Sequence, residues 1–143
     1  MSKSAKTVTF EFERTIPAPP VEVFDAWLDP KVPGNPWNMA DKFILQPKVD
    51  GFFYWAIRGI AHYGRFLDVD RPTRIQHTWV SPNTLGAEST VAVTFHKKGS
   101  NTLMTLVHSD LPDTDDGRGH ENGWNYLLGS FEDHFAKASN RKE

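Results

Sequence analysis

The sequence predicts an α+β fold: a curved antiparallel sheet of about seven strands wrapped around one long C-terminal helix. Three observations predict it. Between about residues 119 and 138, Trp124, Leu127, Leu128, Phe131 and Phe135 recur at helical spacing and make one apolar stripe. No second stripe of comparable length occurs in the chain. Most of what precedes it is short alternating segments, which read as strands. A lone amphipathic helix after a run of strands must bury its stripe on the sheet those strands make.

Taken in order, Thr7 to Ile16 alternates, with Val8, Phe10, Phe12 and Ile16 on one side and Thr9, Glu11, Glu13 and Thr15 on the other. This is a half-buried strand, and Arg14 falls on its apolar side. Ala18-Pro19-Pro20 suits a helix start, where proline is tolerated. Val23, Phe24, Trp27 and Leu28 then form a short helical stripe that Asp29-Pro30 stops. Residues 31 to 42 read as a loop or broken turn with Trp37 as its apolar anchor. Phe43 to Val49 is an edge strand, because Pro47 interrupts it. Asp50-Gly51 turns the chain. Phe52 to Ile57 and Ile60 to Val69 form a two-residue hairpin at Arg58-Gly59, which sets Ile57 opposite Ile60. In that register Phe53, Trp55, Ile57, Ile60, His62, Gly64 and Phe66 share one face. Phe52, Tyr54, Tyr63, Arg65 and Leu67 share the other. Arg74 to Val80, Thr90 to His96 and Thr102 to Ser109 complete the strands, and a polar loop from Asp110 to Gly119 leads into the final helix.

Composition narrows the function classes. The 143 residues suit a single domain with its core at about residues 7 to 138, and 38% apolar content supplies that core. Eighteen acidic against sixteen basic residues leave a net charge of −2, which argues against nucleic acid as a partner. With no cysteine there are no disulfides, thiolate metal sites or cysteine nucleophile. Met1 to Lys6 is polar and reads as no secretory signal, and no apolar run approaches the ~20 residues that span a bilayer. A soluble, cytoplasmic protein is the expectation.

Phe12-Glu13-Arg14-Thr15-Ile16, Ala18-Pro19 and Val23-Phe24-Asp25-Ala26-Trp27 together resemble the opening of a known family. The resemblance continues through Trp37, Gly51, Phe53, Gly64-Arg65-Phe66-Leu67-Asp68-Val69, Pro72, Thr78-Trp79, Thr102 to His108 and Gly123-Trp124. The family is the homologues of the activator of the ninety-kilodalton heat-shock chaperone's ATPase, within the START-like (SRPBCC) superfamily. The resemblance implies a helix-grip fold and a row of Thr102, Met104, Leu106 and His108 facing inward. One departure is Asp50, where many members carry a second glycine, and this bears on turn geometry. The superfamily includes lipid carriers, cyclases, hydroxylase subunits and co-chaperone domains, so fold alone does not select a function.

A sheet bent around one helix leaves an elongated cavity between them, and such concavities bind small molecules. The candidate wall is Arg14, Trp27, Trp37, Phe53, Trp55, His62, Phe66, Trp79, Met104, His108, Trp124 and Leu128. Arg14 either fixes a ligand oxyanion or pairs with an acid near a strand end. His62 and His108 either transfer a proton near a bound carbonyl or are satisfied by backbone. The five tryptophans either line a pocket for a flat or greasy ligand or pack the core. Asp113, Asp115, Asp116 and Gly117 superficially resemble a calcium loop, but ligand alternation is absent and Trp124 stands at the closing position. A solvated loop, placed to act as a lid beside the helix start, is the reading there. His120-Glu121-Asn122 lacks the second histidine of a zinc-protease motif, and no metal or cofactor is expected. Binding of a small apolar or aromatic molecule is the leading expectation. A protein-interaction domain, a homodimer included, and a cyclase or hydrolase using Arg14 with His62 or His108 are the alternatives.

Overall fold

The computed structural model describes residues 6–141, with side chains to residue 138. The polar stretch ahead of residue 6 lies outside the described residues. The chain runs β1 (Thr7–Ile16), α1 (Pro20–Trp27), a 3₁₀ turn (Pro36–Met39), then β2 (Lys42–Leu45), β3 (Phe52–Ile57), β4 (Ile60–Asp70) and β5 (Arg74–Trp79). A second 3₁₀ turn (Pro82–Thr84) precedes β6 (Ser89–Lys98), β7 (Asn101–Pro112), α2 (Asp115–Arg118) and α3 (His120–Arg141). The seven strands form one antiparallel order, β1-β7-β6-β5-β4-β3-β2. One face carries α3, so the architecture is the expected α+β sheet wrapped on a C-terminal helix.

The alternation in each strand settles which residues reach α3. Phe12 and Ile16 of β1, Phe53 and Trp55 of β3, Ile75, His77 and Trp79 of β5, and Val91, Val93 and Phe95 of β6 are buried. On β7 the row Thr102, Met104, Leu106, His108 is buried, as the family resemblance implied. The helix answers with Trp124, Leu127, Leu128, Phe131 and Phe135, all buried. Buried apolar area of this kind stabilises by about 25 cal/mol per Å².

Local chemistry explains the joints. Arg58 (φ 53°) and Gly59 (φ 78°) are both left-handed, the conformation a two-residue hairpin requires, and Ile57 pairs with Ile60. On the inner face Gly64 lies so close to Thr78 that a Cβ would sit 2.1 Å from its carbonyl oxygen and 2.6 Å from the Phe53 ring. Phe53 covers the space that a side chain at 64 would need. Asn35, fully buried, donates to the carbonyls of Ala26 (2.7 Å) and Trp27 (2.9 Å), supplying partners to the open end of α1. Its Oδ1 accepts from the Trp37 backbone N–H at 2.8 Å and starts the 3₁₀ turn.

Asp50 adopts a left-handed φ of 67°, the conformation that a glycine would meet without strain. Its carboxylate lies 2.9 Å from Arg65 on the neighbouring strand. A polar side chain therefore stands where many relatives are expected to carry glycine.

Three differences from the sequence reading stand out. The strand expected over Phe43 to Val49 is confined to β2, ending two residues before Pro47, because proline donates no ladder hydrogen bond. The strand expected to end at Ser109 runs to Pro112. The loop expected from Asp110 to Gly119 holds a helical turn, α2: Thr114 Oγ1 accepts from Gly117 N at 3.0 Å, and Asp113 pairs with Arg118 at 2.6 Å. These contacts replace the solvated loop.

Candidate functional site

The space between sheet and helix is not an elongated cavity. Trp27, Trp37, Trp55, Trp79 and Trp124, with Pro36, His77 and Leu127, close it to a void of about 10 Å³. Five indoles occupy the volume that the fold would otherwise leave open. The open volume lies instead at one end, where the β3–β4 hairpin faces the start of α3. There a cleft of about 630 Å³ is lined by Trp55, Ile57, Ile60 and His62 from the hairpin and by Trp79 from β5. His120, Gly123, Trp124 and Leu127 of α3 form the opposite wall. Their offsets of 0, 3, 4 and 7 put them on one helical face. Arg58, Asn83, Asp115, Asp116, Asn122 and Tyr126 make the rim.

Trp79 is the centre of the site. Its ring centroid lies 5.0 Å from His62, 5.7 Å from His108, 6.4 Å from His120 and 5.4 Å from Trp124. Its indole N–H donates to His120 Nε2 at 3.3 Å, and His120 Nδ1 lies 2.9 Å from the Gly117 carbonyl. A carbonyl only accepts, so Nδ1 of His120 carries the proton and its Nε2 is the acceptor. Trp124 Nε1 donates to His108 Nδ1 at 2.9 Å, and His108 Nε2 lies 2.8 Å from Ser89 Oγ. Ser89 gives its own proton to the Trp79 carbonyl at 2.7 Å, so His108 Nε2–H donates to it. Both His108 nitrogens are thereby committed.

The histidines are neutral for a common reason. Burial pulls His108 down to about 2, reinforced by nearby His120, and pulls His77 down to about 4. Burial also lowers His62 and His120, against hydrogen bonds to backbone carbonyls that favour the charged forms. Among the described residues no group of three or more His, Cys, Asp or Glu has the geometry to hold a metal ion.

The structure thus divides the candidate residues. Trp55, His62, Trp79 and Trp124 line the cleft. Trp27 and Trp37 line only the small void behind it. Phe53, Phe66, Met104 and Leu128 are core residues that line neither space, and His108 stands behind Trp124. Arg14 lies elsewhere: its guanidinium donates to Asn125 Oδ1 at 2.8 Å and sits 3.6 Å from Glu132, tying β1 to α3. The expected convergence of Arg14 with His62 or His108 does not form, because α3 supplies Arg14 with its own partners. His120 was missed, although its place one turn ahead of Trp124 on the same stripe is a readable signal. His77 was also missed, although it alternates with Ile75 and Trp79.

Residues 17–136 match the family model described as Activator of Hsp90 ATPase homolog 1-like protein. The chain belongs to this family. Among solved structures, a protein from Mesorhizobium loti is 22% identical with a TM-score of 0.75, over 91% of this chain and 98% of that one. A protein described as an HSP90 activator, from Plasmodium falciparum, is 24% identical with a TM-score of 0.68, over 81% and 86%. The Aha1 dimer from Colwellia psychrerythraea is 14% identical with a TM-score of 0.73, over 90% and 96%. These likenesses show the same helix-grip fold, an antiparallel sheet wrapped on a long C-terminal helix. No curated protein matches the sequence. No described helix is long and apolar enough to cross a membrane.

Proposed function

We propose that this member of the activator-homologue family binds a small apolar or aromatic molecule in the cleft at the start of α3. The observation that carries the reading is a concavity of about 630 Å³ whose inner wall is Trp55, Ile57, Ile60, Trp79, Trp124 and Leu127 with His62 and His120, the other polar side chains standing at the rim. That volume lies within the usual range for small-ligand sites, and an apolar, aromatic-rich wall with a few placed polar groups is usual there too. Gly123 provides the test. A Cβ at this helical, cleft-lining position would meet nothing within 4 Å. Gly123→Leu is expected to fold with equal or greater stability, since glycine costs a helix roughly 1 kcal/mol. It is also expected to fill the cleft and weaken binding of naphthalene-type ligands at least about tenfold in calorimetric titration. Binding unchanged in a folded Gly123→Leu protein would sink the proposal.

A second reading has its own observation. Ile44, Phe52 and Tyr63 are 56%, 61% and 52% exposed on the outer face of β2 to β4, with Leu67 beside them. Adjacent exposed apolar groups of this kind mark contact surfaces. A protein partner there, a second copy included, agrees with the descriptions of the Plasmodium and Colwellia relatives. Sedimentation of the wild type against Phe52→Glu tests self-association, and a monomer in both would dismiss the second copy.

A further inference from the structure

The hydrogen bonds of the cleft wall restrict what can occupy it. Every indole N–H of the wall is already used. Trp55 donates to the Pro36 carbonyl at 2.9 Å, Trp79 to His120 Nε2 at 3.3 Å, and Trp124 to His108 Nδ1 at 2.9 Å. His120 spends its own proton on Gly117. The indoles and His120 therefore have no donor left to give, and the remaining side-chain donors, Arg58, Asn83, Asn122 and Tyr126, stand at the rim. A ligand carbonyl, ether or carboxylate pressed against the indoles would be buried without a partner, at a cost of about 1–3 kcal/mol or more.

One acceptor remains on this inner wall. His62 Nδ1 lies 3.1 Å from the Trp55 carbonyl, and the Ile60 carbonyl also faces the ring; a proton on Nδ1 satisfies the Trp55 contact and leaves Nε2 with its lone pair. No protein donor among the described residues reaches Nε2, although the residue is only 6% exposed. Among those residues no buried side-chain nitrogen or oxygen lacks a partner, so this nitrogen is open, and the space it opens on is the cleft. The ring itself is held between Trp55 and Trp79, with both centroids 5.0 Å away. The acceptor is thus fixed in direction before any ligand arrives. At the rim, Asp115 and Asp116 outnumber Arg58, which disfavours an anionic ligand.

Building on the cleft reading, we infer that the occupant is a neutral aromatic molecule of the phenol class, whose hydroxyl donates to His62 Nε2. A phenolic O–H is a strong neutral donor, and its flat ring can pack against the indole wall. Once its proton is given, its oxygen asks for no donor in return. Carboxylates and ketones find no donor along the indole wall beside His62, and plain hydrocarbons leave Nε2 dry and unpaired. His62 is a binding residue here, with no chemistry assigned to it.

Three matched probes test the assignment at pH 7.5: a naphthol, its methyl ether and the corresponding naphthoate, each titrated calorimetrically. The naphthol is expected to bind about tenfold or more tightly than the ether, with the naphthoate weakest. In His62→Phe the naphthol is expected to fall to the affinity of the ether, while the ether itself is little changed. Should that variant not fold, imidazole nitrogen spectra of the wild type give the same answer: the His62 Nε2 resonance moves with the naphthol and stays with the ether. Equal affinities for naphthol and ether, or the naphthoate binding tightest, overturn the phenol assignment and leave the cleft standing. No binding by any of the three overturns the cleft reading, and the phenol assignment with it.

Discussion

The two ends of the sheet–helix interface draw on the same aromatic supply. At the closed end Phe24 meets Phe95 at 5.4 Å, and Phe131 meets Trp27 at 5.1 Å and Phe135 at 5.2 Å, all edge to face. At the open end Trp55, Trp79 and Trp124 meet His62, His108 and His120. Phenylalanine needs no partner for a polar atom, so it packs until no space remains. Each indole brings an N–H that must find an acceptor in a set direction. At the open end, two of those acceptors are histidines, and a ring that holds one nitrogen toward a bond cannot also turn to fill a gap. The difference teaches that the cleft exists where hydrogen-bond direction, rather than volume alone, governs the packing.

Four measurements bear on this contrast. The largest effect belongs to the closed end: Phe131→Ala is expected to cost about 3–5 kcal/mol in denaturant unfolding, because the removed ring leaves a cavity among fixed neighbours. Ligand affinity of the folded fraction should hold, since Phe131 lies outside the cleft lining. Acid comes next. His77 and His108 have folded values of about 4 and about 2, below the unfolded value of about 6.5, so the unfolded chain binds more protons in acid. Their neutral burial is therefore fully tolerated above pH 6.5, and stability falls below it by about 1.4 kcal/mol per pH unit for each. The loss continues toward the folded value of each group. Unfolding free energies at pH 7, 6 and 5 check this, and a flat profile would mean that neither histidine stays neutral in the fold.

Trp124→Phe keeps most of the ring but strands His108 Nδ1, at an expected cost of about 1–3 kcal/mol. Restoring stability with His108→Leu in the same chain would show that the unpaired nitrogen, and not lost packing, carried the cost. The smallest effect on stability is at the rim. Tyr126, 69% exposed, should change stability by less than about 0.5 kcal/mol when replaced by Ala. Binding of the aromatic probes should nonetheless weaken severalfold, as Tyr126 lines the mouth. An unaltered affinity would place the ligand deeper than the rim.

Much of the fold could be read because period-two and period-3.6 patterns report directly on which side chains are buried. The inward row from Phe53 to Phe66, the Ile57–Ile60 pairing and the α3 stripe are of that kind. The site was only partly legible. Trp55, His62, Trp79 and Trp124 were recognisable as inward-facing, but whether five indoles fill a cavity or line it depends on their rotamers, which no periodicity encodes. Arg14 shows the same limit in charge: its partners Asn125 and Glu132 lie more than a hundred residues away in sequence, on a helix whose docking places them. Asp50 is the opposite case, since a departure in residue type marked a backbone position that is indeed left-handed.

The indoles also form a relay. Trp27 lies 6.4 Å from Trp124, Trp124 lies 5.4 Å from Trp79, and Trp79 lies 6.0 Å from Trp55. At such separations excitation hops between rings far faster than it is emitted, and their transition dipoles couple. Light absorbed by Trp27 in the dry interior can therefore be extinguished by a quencher that touches only Trp55 at the mouth. The protein's near-ultraviolet optical activity is accordingly a property of the four rings together, and replacing any one of them should alter the spectrum of the rest.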